Sequence, residues 1–282
     1  MPTMLRPILF ASALALSAAA PLMAQTAQPP ATGGEAITYA DLVTLADEAP
    51  LVVRAQIRDQ VALEPERAPG LAPGHARLYI EARTTALIAG NAPLGEGLRY
   101  LVDVPYDAKG KLPKLKKADV ILFARSVPNR PGELQLVEPD AQLRYTPELE
   151  QRLRPILSEL VAADAPPVVT GVGDALAVQG TLVGESETQL FLDTENDGPV
   201  SITIVRRPNQ EPRWGVSWTE IVDQSARAPQ RDTLAWYRLA CTLPPELPTE
   251  SNLTRDPESR ALAARDYAYL IEQLGPCARN RG

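Results

Sequence analysis

The sequence LVVRAQIR at residues 51–58 alternates largely apolar and polar side chains, and LYIEARTTA at 78–86 and LRYLVDV at 98–104 do the same. A period of two is typical of a strand that buries one face and exposes the other. Three such stretches in close succession predict an antiparallel sheet with one apolar face.

Two shorter stretches extend this predicted sheet. The run VILFA at residues 120–124 is apolar throughout, which favours a strand covered on both faces. Leu134 and Leu136 indicate a fifth strand after a turn rich in proline and glycine. Because five short antiparallel strands in about 100 residues are typical of a small barrel, residues 38–145 are predicted to form a barrel domain.

The same region resembles a known family in its pattern. The stretches ADEAPLVVRAQI, ARLYIEARTTALIAG, LRYLVDV and LKKADVILFAR resemble exported OB-type barrels of the netrin-like kind over about residues 51–137. The resemblance implies an OB-like barrel. The N-terminal cysteine that inhibitory members of that group use is missing here, and no functional residue is carried over.

Residues 146–166 are predicted to be a helical connector. Thr146 and Pro147 are typical of a helix start, and apolar side chains follow at helical spacing. Pro155 interrupts this pattern. We therefore expect either a kink or two short helices.

The remainder of the chain predicts a second small antiparallel β-domain at residues 167–222 and a helical segment at 223–282. The strongest local signal is the pair Asp197-Gly198 between two apolar alternating runs. It predicts a tight hairpin, since these residues tolerate a positive φ. The expected fold class is β-rich α+β.

The N-terminus has the organisation of a secretory signal. Arg6 is the only charged residue among the first 24, an apolar run follows at residues 8–20, and small Ala24 stands at the end of the segment. This order predicts a cleaved signal peptide at residues 1–24, and the run is too short to span a bilayer comfortably. Residues 25–37 are predicted to be a flexible leader, because proline, glycine, alanine and threonine dominate them.

Composition limits the choice of partner and compartment. The net charge of −7 argues against general nucleic-acid binding, which needs a basic surface to displace counterions. We expect a soluble periplasmic or secreted protein without a transmembrane segment after signal cleavage. Export to an oxidising compartment further predicts that Cys241 and Cys277, the only cysteines, form a disulfide.

No motif for catalysis or cofactor binding is evident. His75 is the only histidine, and it has no recognisable serine or cysteine nucleophile motif to serve. Residues 193–198 mimic the start of a calcium loop, but the twelfth position is Ile204 where a bidentate glutamate is required. We therefore assign no catalytic residue, metal site or cofactor.

Lysine is confined to one short segment, and all other positive side chains except His75 are arginines. A cluster of this kind belongs on an exposed loop. There it either is a solvated loop that keeps a sheet edge from associating with other chains, or it binds an anionic partner. The possible docking residues are Lys109, Lys111, Lys114, Lys116 and Lys117.

These observations leave three functional hypotheses. The preferred one is a non-catalytic interaction or structural protein of the cell envelope, whose partner is an envelope protein or an anionic polymer. The alternative is an envelope hydrolase with paired carboxylates, because two acidic side chains can meet from anywhere in the chain. A weaker alternative, from the barrel resemblance, is a protease inhibitor.

Overall fold

The computed structural model describes residues 37–219 and 226–281, so the predicted signal peptide and all of the predicted leader except Ile37 lie outside the described residues. The described strands are β1 Leu51–Ala62, β2 His75–Ala89, β3 Gly97–Pro105, β4 Asp119–Ser126, β5 Leu134–Leu136, β6 Gln142–Arg144, β7 Val169–Gln179, β8 Ser186–Thr194, β9 Val200–Arg206 and β10 Arg213–Ser217. The described α-helices are α1 Tyr39–Glu48, α2 Pro147–Leu160, α3 Leu234–Ala240 and α4 Pro257–Leu274. The predicted β-rich α+β class is confirmed.

The first sheet is antiparallel, with the strand order β3-β2-β1-β4-β5 and with β6 also paired to β4. Edge strand β3 meets the residue before β5 at a single parallel bridge between Arg99 and Glu133. The Asp103 amide also donates a 2.8 Å hydrogen bond to the Pro139 carbonyl. The expected closed barrel is therefore not formed: β5 has only three residues, already paired with β4, and cannot build a continuous ladder along β3.

Burial follows the alternation of the sequence. Along β3, Leu98, Tyr100, Val102 and Val104 are buried and the residues between them are more exposed. Strand β4 is buried from Val120 to Ala124 and contacts α1. The strand predicted to be covered on both faces is confirmed.

The second sheet has the order β10-β9-β8-β7 and is antiparallel throughout. Strands β8 and β9 form the predicted hairpin, and Asp197 at its tip has a φ of 53°. Helix α4 packs against β7 and β8. Most buried apolar side chains of both sheets and of all four helices belong to one continuous hydrophobic cluster, which includes Leu42, Phe123, Ile202 and Tyr267.

Helix starts are set by local side chains. The Thr38 hydroxyl accepts from the Asp41 amide at 3.0 Å, and the Asp41 carboxylate accepts from the Thr38 amide at 3.0 Å, which forms a capping box for α1. Thr146 caps α2 through its hydroxyl alone, which accepts from the Leu149 amide at 3.1 Å. Helix α2 runs through Pro155 as one helix, so of the two expected alternatives, a kink or two short helices, the second is excluded. Gln151, whose carbonyl loses its donor to the proline, is exposed and can reach water.

A disulfide and a short tail tie the C-terminus to the first sheet. Cys241 follows α3, and its sulfur lies 2.08 Å from that of Cys277, the pair expected from the sequence. Beyond the disulfide, Arg279 donates to the Thr44 hydroxyl at 2.6 Å. Arg281 pairs with Asp140 at 2.7 Å in the β5–β6 connection.

Helix α4 contains the most deeply buried charge of the described chain. Asp266 is 0% exposed. It accepts hydrogen bonds from the Thr188 hydroxyl on β8 and from the Arg206 guanidinium at the end of β9. These contacts fix α4 to two strands of the second sheet. No helix within residues 37–219 and 226–281 is long and apolar enough to cross a membrane.

Candidate partner-binding surface

The five lysines lie on the loop that joins β3 to β4, and we name residues 106–118 the lysine loop. Every lysine side chain of this loop is exposed. Its first turn is held by Asp107, whose Oδ1 accepts from the amides of Lys109 and Lys111 at 2.8 Å each. The structure therefore places the predicted docking residues together at the surface.

The second half of the lysine loop is held along the edge of β1 by Gln60. Its Nε2 donates to the Pro113 carbonyl at 2.9 Å, and its Oε1 accepts from the Leu115 amide at 2.6 Å. The Lys117 amide donates to the Ile57 carbonyl at 2.8 Å. Because these bonds use backbone atoms, they fix the loop and leave the ammonium groups unconstrained.

The charges of the loop are mostly uncompensated. Lys116 lies 3.5 Å from the Asp59 carboxylate, and the two side chains are 63% and 57% exposed. Within the described chain, no other lysine of the loop forms an ion pair. The loop therefore presents a concentrated positive surface on a chain whose net charge is −7.

A groove of about 1050 Å³ crosses the neighbouring face of the first sheet. Its floor is formed by β2 and β3. One wall is the end of β1 with the turn that follows it, and the other is β5 with the β4–β5 loop. Sequence reasoning did not identify this groove, because it is assembled from four separate strands.

An apolar row crosses the floor of this groove. Val61 on β1 pairs with Tyr79 on β2, and Tyr79 pairs with Leu101 on β3. Val61 is 58% exposed and Leu101 is 44% exposed. The signal was present in the sequence: Tyr79 and Leu101 are apolar residues at positions where the alternation predicts the outward face.

Arginines flank the apolar row. Arg77 makes a bidentate pair with Asp103, with both N···O distances at 2.7 Å. On the opposite side, Arg99 is exposed, and its guanidinium makes no ion pair with the described residues although Glu81 faces it on β2. Arg67, on the wall of the groove, is also exposed and unpaired within residues 37–219 and 226–281.

The other residues considered for chemistry belong neither to the lysine loop nor to the groove lining, although His75 pairs with Pro105, the residue before the loop. His75 begins β2, and its Nδ1 is 3.1 Å from the Pro73 carbonyl oxygen. Residues 193–198 are the end of β8 and the β8–β9 hairpin loop. Among the described residues, no cluster of three or more histidine, cysteine or carboxylate side chains could hold a metal ion.

Two carboxyl groups of the described residues have a clearly shifted pKa, and both are shifted downward. Burial raises the pKa of Asp41, but hydrogen bonds from Thr38 and from the Asn280 amide outweigh it and lower the pKa overall. The Ser259 amide lowers the pKa of Asp256 at the start of α4. These shifts favour ionised helix caps, whereas a general acid at neutral pH needs a raised pKa.

No known protein family has a model that matches this chain, and no curated protein matches its sequence.

Proposed function

We propose that this protein is a non-catalytic interaction protein of the cell envelope that binds an anionic partner through the lysine loop. The observation that supports this proposal is five exposed lysines on a loop whose backbone is fixed by Asp107 and Gln60. A fixed loop loses less conformational entropy on binding than a mobile one, so its charges bind more effectively.

Electrostatics would act before contact. A concentrated positive surface steers an anionic partner and raises the association rate, even when the whole protein is acidic. The partner class is an acidic envelope protein or an anionic polymer. The OB-type, netrin-like resemblance is part of this proposal, since OB-folds are partly open and bind their ligands through loops and an adjoining strand face.

Changing all five lysines to glutamine is expected to weaken capture of an anionic polymer by at least about fivefold at low salt, since each exposed pair contributes roughly 0.2–1 kcal/mol. Immobilised polyglutamate and an immobilised anionic polysaccharide serve as probes. The expected difference shrinks as salt is raised, because exposed charges are screened.

A matched control removes five charges elsewhere. Five exposed arginines on other surfaces are changed to glutamine, so that the net charge falls equally while the lysine loop is retained. Equal loss in both variants would show that net charge, and not the loop, governs capture. The control positions are Arg83, Arg125, Arg207, Arg213 and Arg255.

Export is the second part of the proposal. We expect cleavage near Ala24, so that the mature chain begins at or close to Gln25 in the periplasm or outside the cell. The basic residue, the apolar run and the small residue before the cut support this expectation. Retention of Met1 in exported protein, detected by N-terminal sequencing, would contradict it.

A catalytic role would be revealed by turnover. If any envelope polymer is cleaved by the purified protein, and the activity is lost when one carboxylate is replaced, the non-catalytic proposal is overturned.

A further inference from the structure

We propose that the groove on the first sheet is a second binding site, which takes an extended acidic peptide with an apolar side chain between its carboxylates. This goes beyond docking through the lysine loop, because the groove is lined by a different set of residues. The inference rests on the apolar row and on the arginines beside it.

The apolar row on the floor of the groove indicates that the partner carries apolar side chains. Val61 and Leu101 are aliphatic side chains at 58% and 44% exposure in the middle of a sheet face. Their burial is favourable at about 25 cal/mol per Å² of apolar surface. Aliphatic side chains on the partner can bury them, whereas a sugar polymer carries none. A peptide therefore fits this floor better than a polysaccharide.

The charged residues of the groove indicate that the peptide is acidic. Asp103 is neutralised by Arg77, and Glu133 is neutralised by Arg130 at 3.2 Å. Arg99 and Arg67 form no ion pair with the described residues, although Glu81 on β2 faces Arg99 from outside the lining. The described lining holds four arginines and three carboxylates, an excess of one positive charge. The groove therefore has an excess of positive charge on an acidic protein.

Geometry sets the spacing within the peptide. Arg99 lies two residues before Leu101 on β3 and points to the same face, which separates the two side chains by about 7 Å. An extended peptide has the same spacing between residues i and i+2. A carboxylate two positions from an apolar residue would therefore reach Arg99 while the apolar residue covers Leu101.

Selection from a displayed heptapeptide library on the immobilised full chain tests this inference. Enriched peptides are expected to carry Asp or Glu two positions from Leu, Ile, Val or Phe. Arg99→Gln is expected to weaken binding of such a peptide about fivefold, as for loss of one exposed charge pair. Leu101→Ser is expected to weaken it by a similar factor.

Matched controls separate the groove from other surfaces. Arg83→Gln removes an exposed arginine of β2 outside the groove, and Leu176→Ser removes an exposed leucine of the second sheet. Both are expected to leave peptide binding unchanged. All four positions are on the surface, so unchanged thermal unfolding verifies the fold of each variant.

The outcomes distinguish this site from the lysine loop. The variant with five glutamines at the lysine loop is expected to retain peptide binding, whatever it does to polymer capture. No enriched peptide, enrichment without acidic residues, or binding unaffected by Arg99→Gln would overturn the groove proposal. Loss of peptide binding in the lysine variant would assign the peptide to the loop and would likewise overturn it.

Discussion

Replacing Cys277 with serine is expected to lower the free energy of unfolding by about 3–4 kcal/mol in the chain-entropy treatment of a cross-link. The disulfide joins residues 36 positions apart. It connects the end of α3 to the segment after α4, from which the tail continues to α1 and the first sheet. Without it, the unfolded chain gains conformational freedom.

Urea unfolding of the oxidised protein and of Cys277→Ser measures this difference. Cys241→Ser is expected to be as destabilising as Cys277→Ser, and the double variant no worse than either, because all three remove the same bond. Reductant should destabilise the parent protein and leave the double variant unchanged. Two free thiols in the exported protein, found by intact mass with and without reduction, would contradict the prediction.

Asp266→Ala is expected to lower the free energy of unfolding by about 3 kcal/mol, at the lower end of the range for removing one partner of a buried pair. The change leaves the Thr188 hydroxyl buried without its acceptor and deprives Arg206 of its counter-charge. Arg206 is 31% exposed and can turn to water, whereas Thr188 is fully buried. Because only the Thr188 hydroxyl would be left buried without a partner, we expect a destabilisation at the lower end of the range.

The control for this prediction is on the same helix. Glu272→Ala removes an exposed carboxylate of α4 and is expected to change stability by no more than about 0.5 kcal/mol. If Asp266→Ala is no more destabilising than the loss of an exposed ion pair, about 1 kcal/mol or less, the buried network does not hold α4 to the second sheet.

The two proposed binding surfaces would cooperate if one partner reached both. The lysine loop is bonded to Gln60 on β1, and the next residue, Val61, lies in the apolar row of the groove. Because consecutive side chains of a strand point to opposite faces, an acidic protein with a segment in the groove would have to pass around the end of β1 to contact the loop as well. Combining Arg99→Gln with the five lysine changes would then weaken binding more than either change alone.

The sequence by itself determined the local features of this protein. The alternation at 51–58 and 98–104 predicted strands and their buried faces, since side-chain direction in a strand depends only on position along it. Thr38 and Thr146 predicted helix starts because a cap is satisfied within three residues. The lysine cluster predicted an exposed loop, because ammonium groups resist burial.

Only the tertiary structure decided how distant segments meet. Barrel closure was expected from strand number, but it depended on whether three-residue β5 could pair along β3, and it does not. The groove unites Val61, Tyr79 and Leu101 through the register of three strands, which local pattern does not specify. Pairing between segments far apart in the chain depends on packing and loop closure across the whole domain, and a local sequence pattern therefore does not determine it.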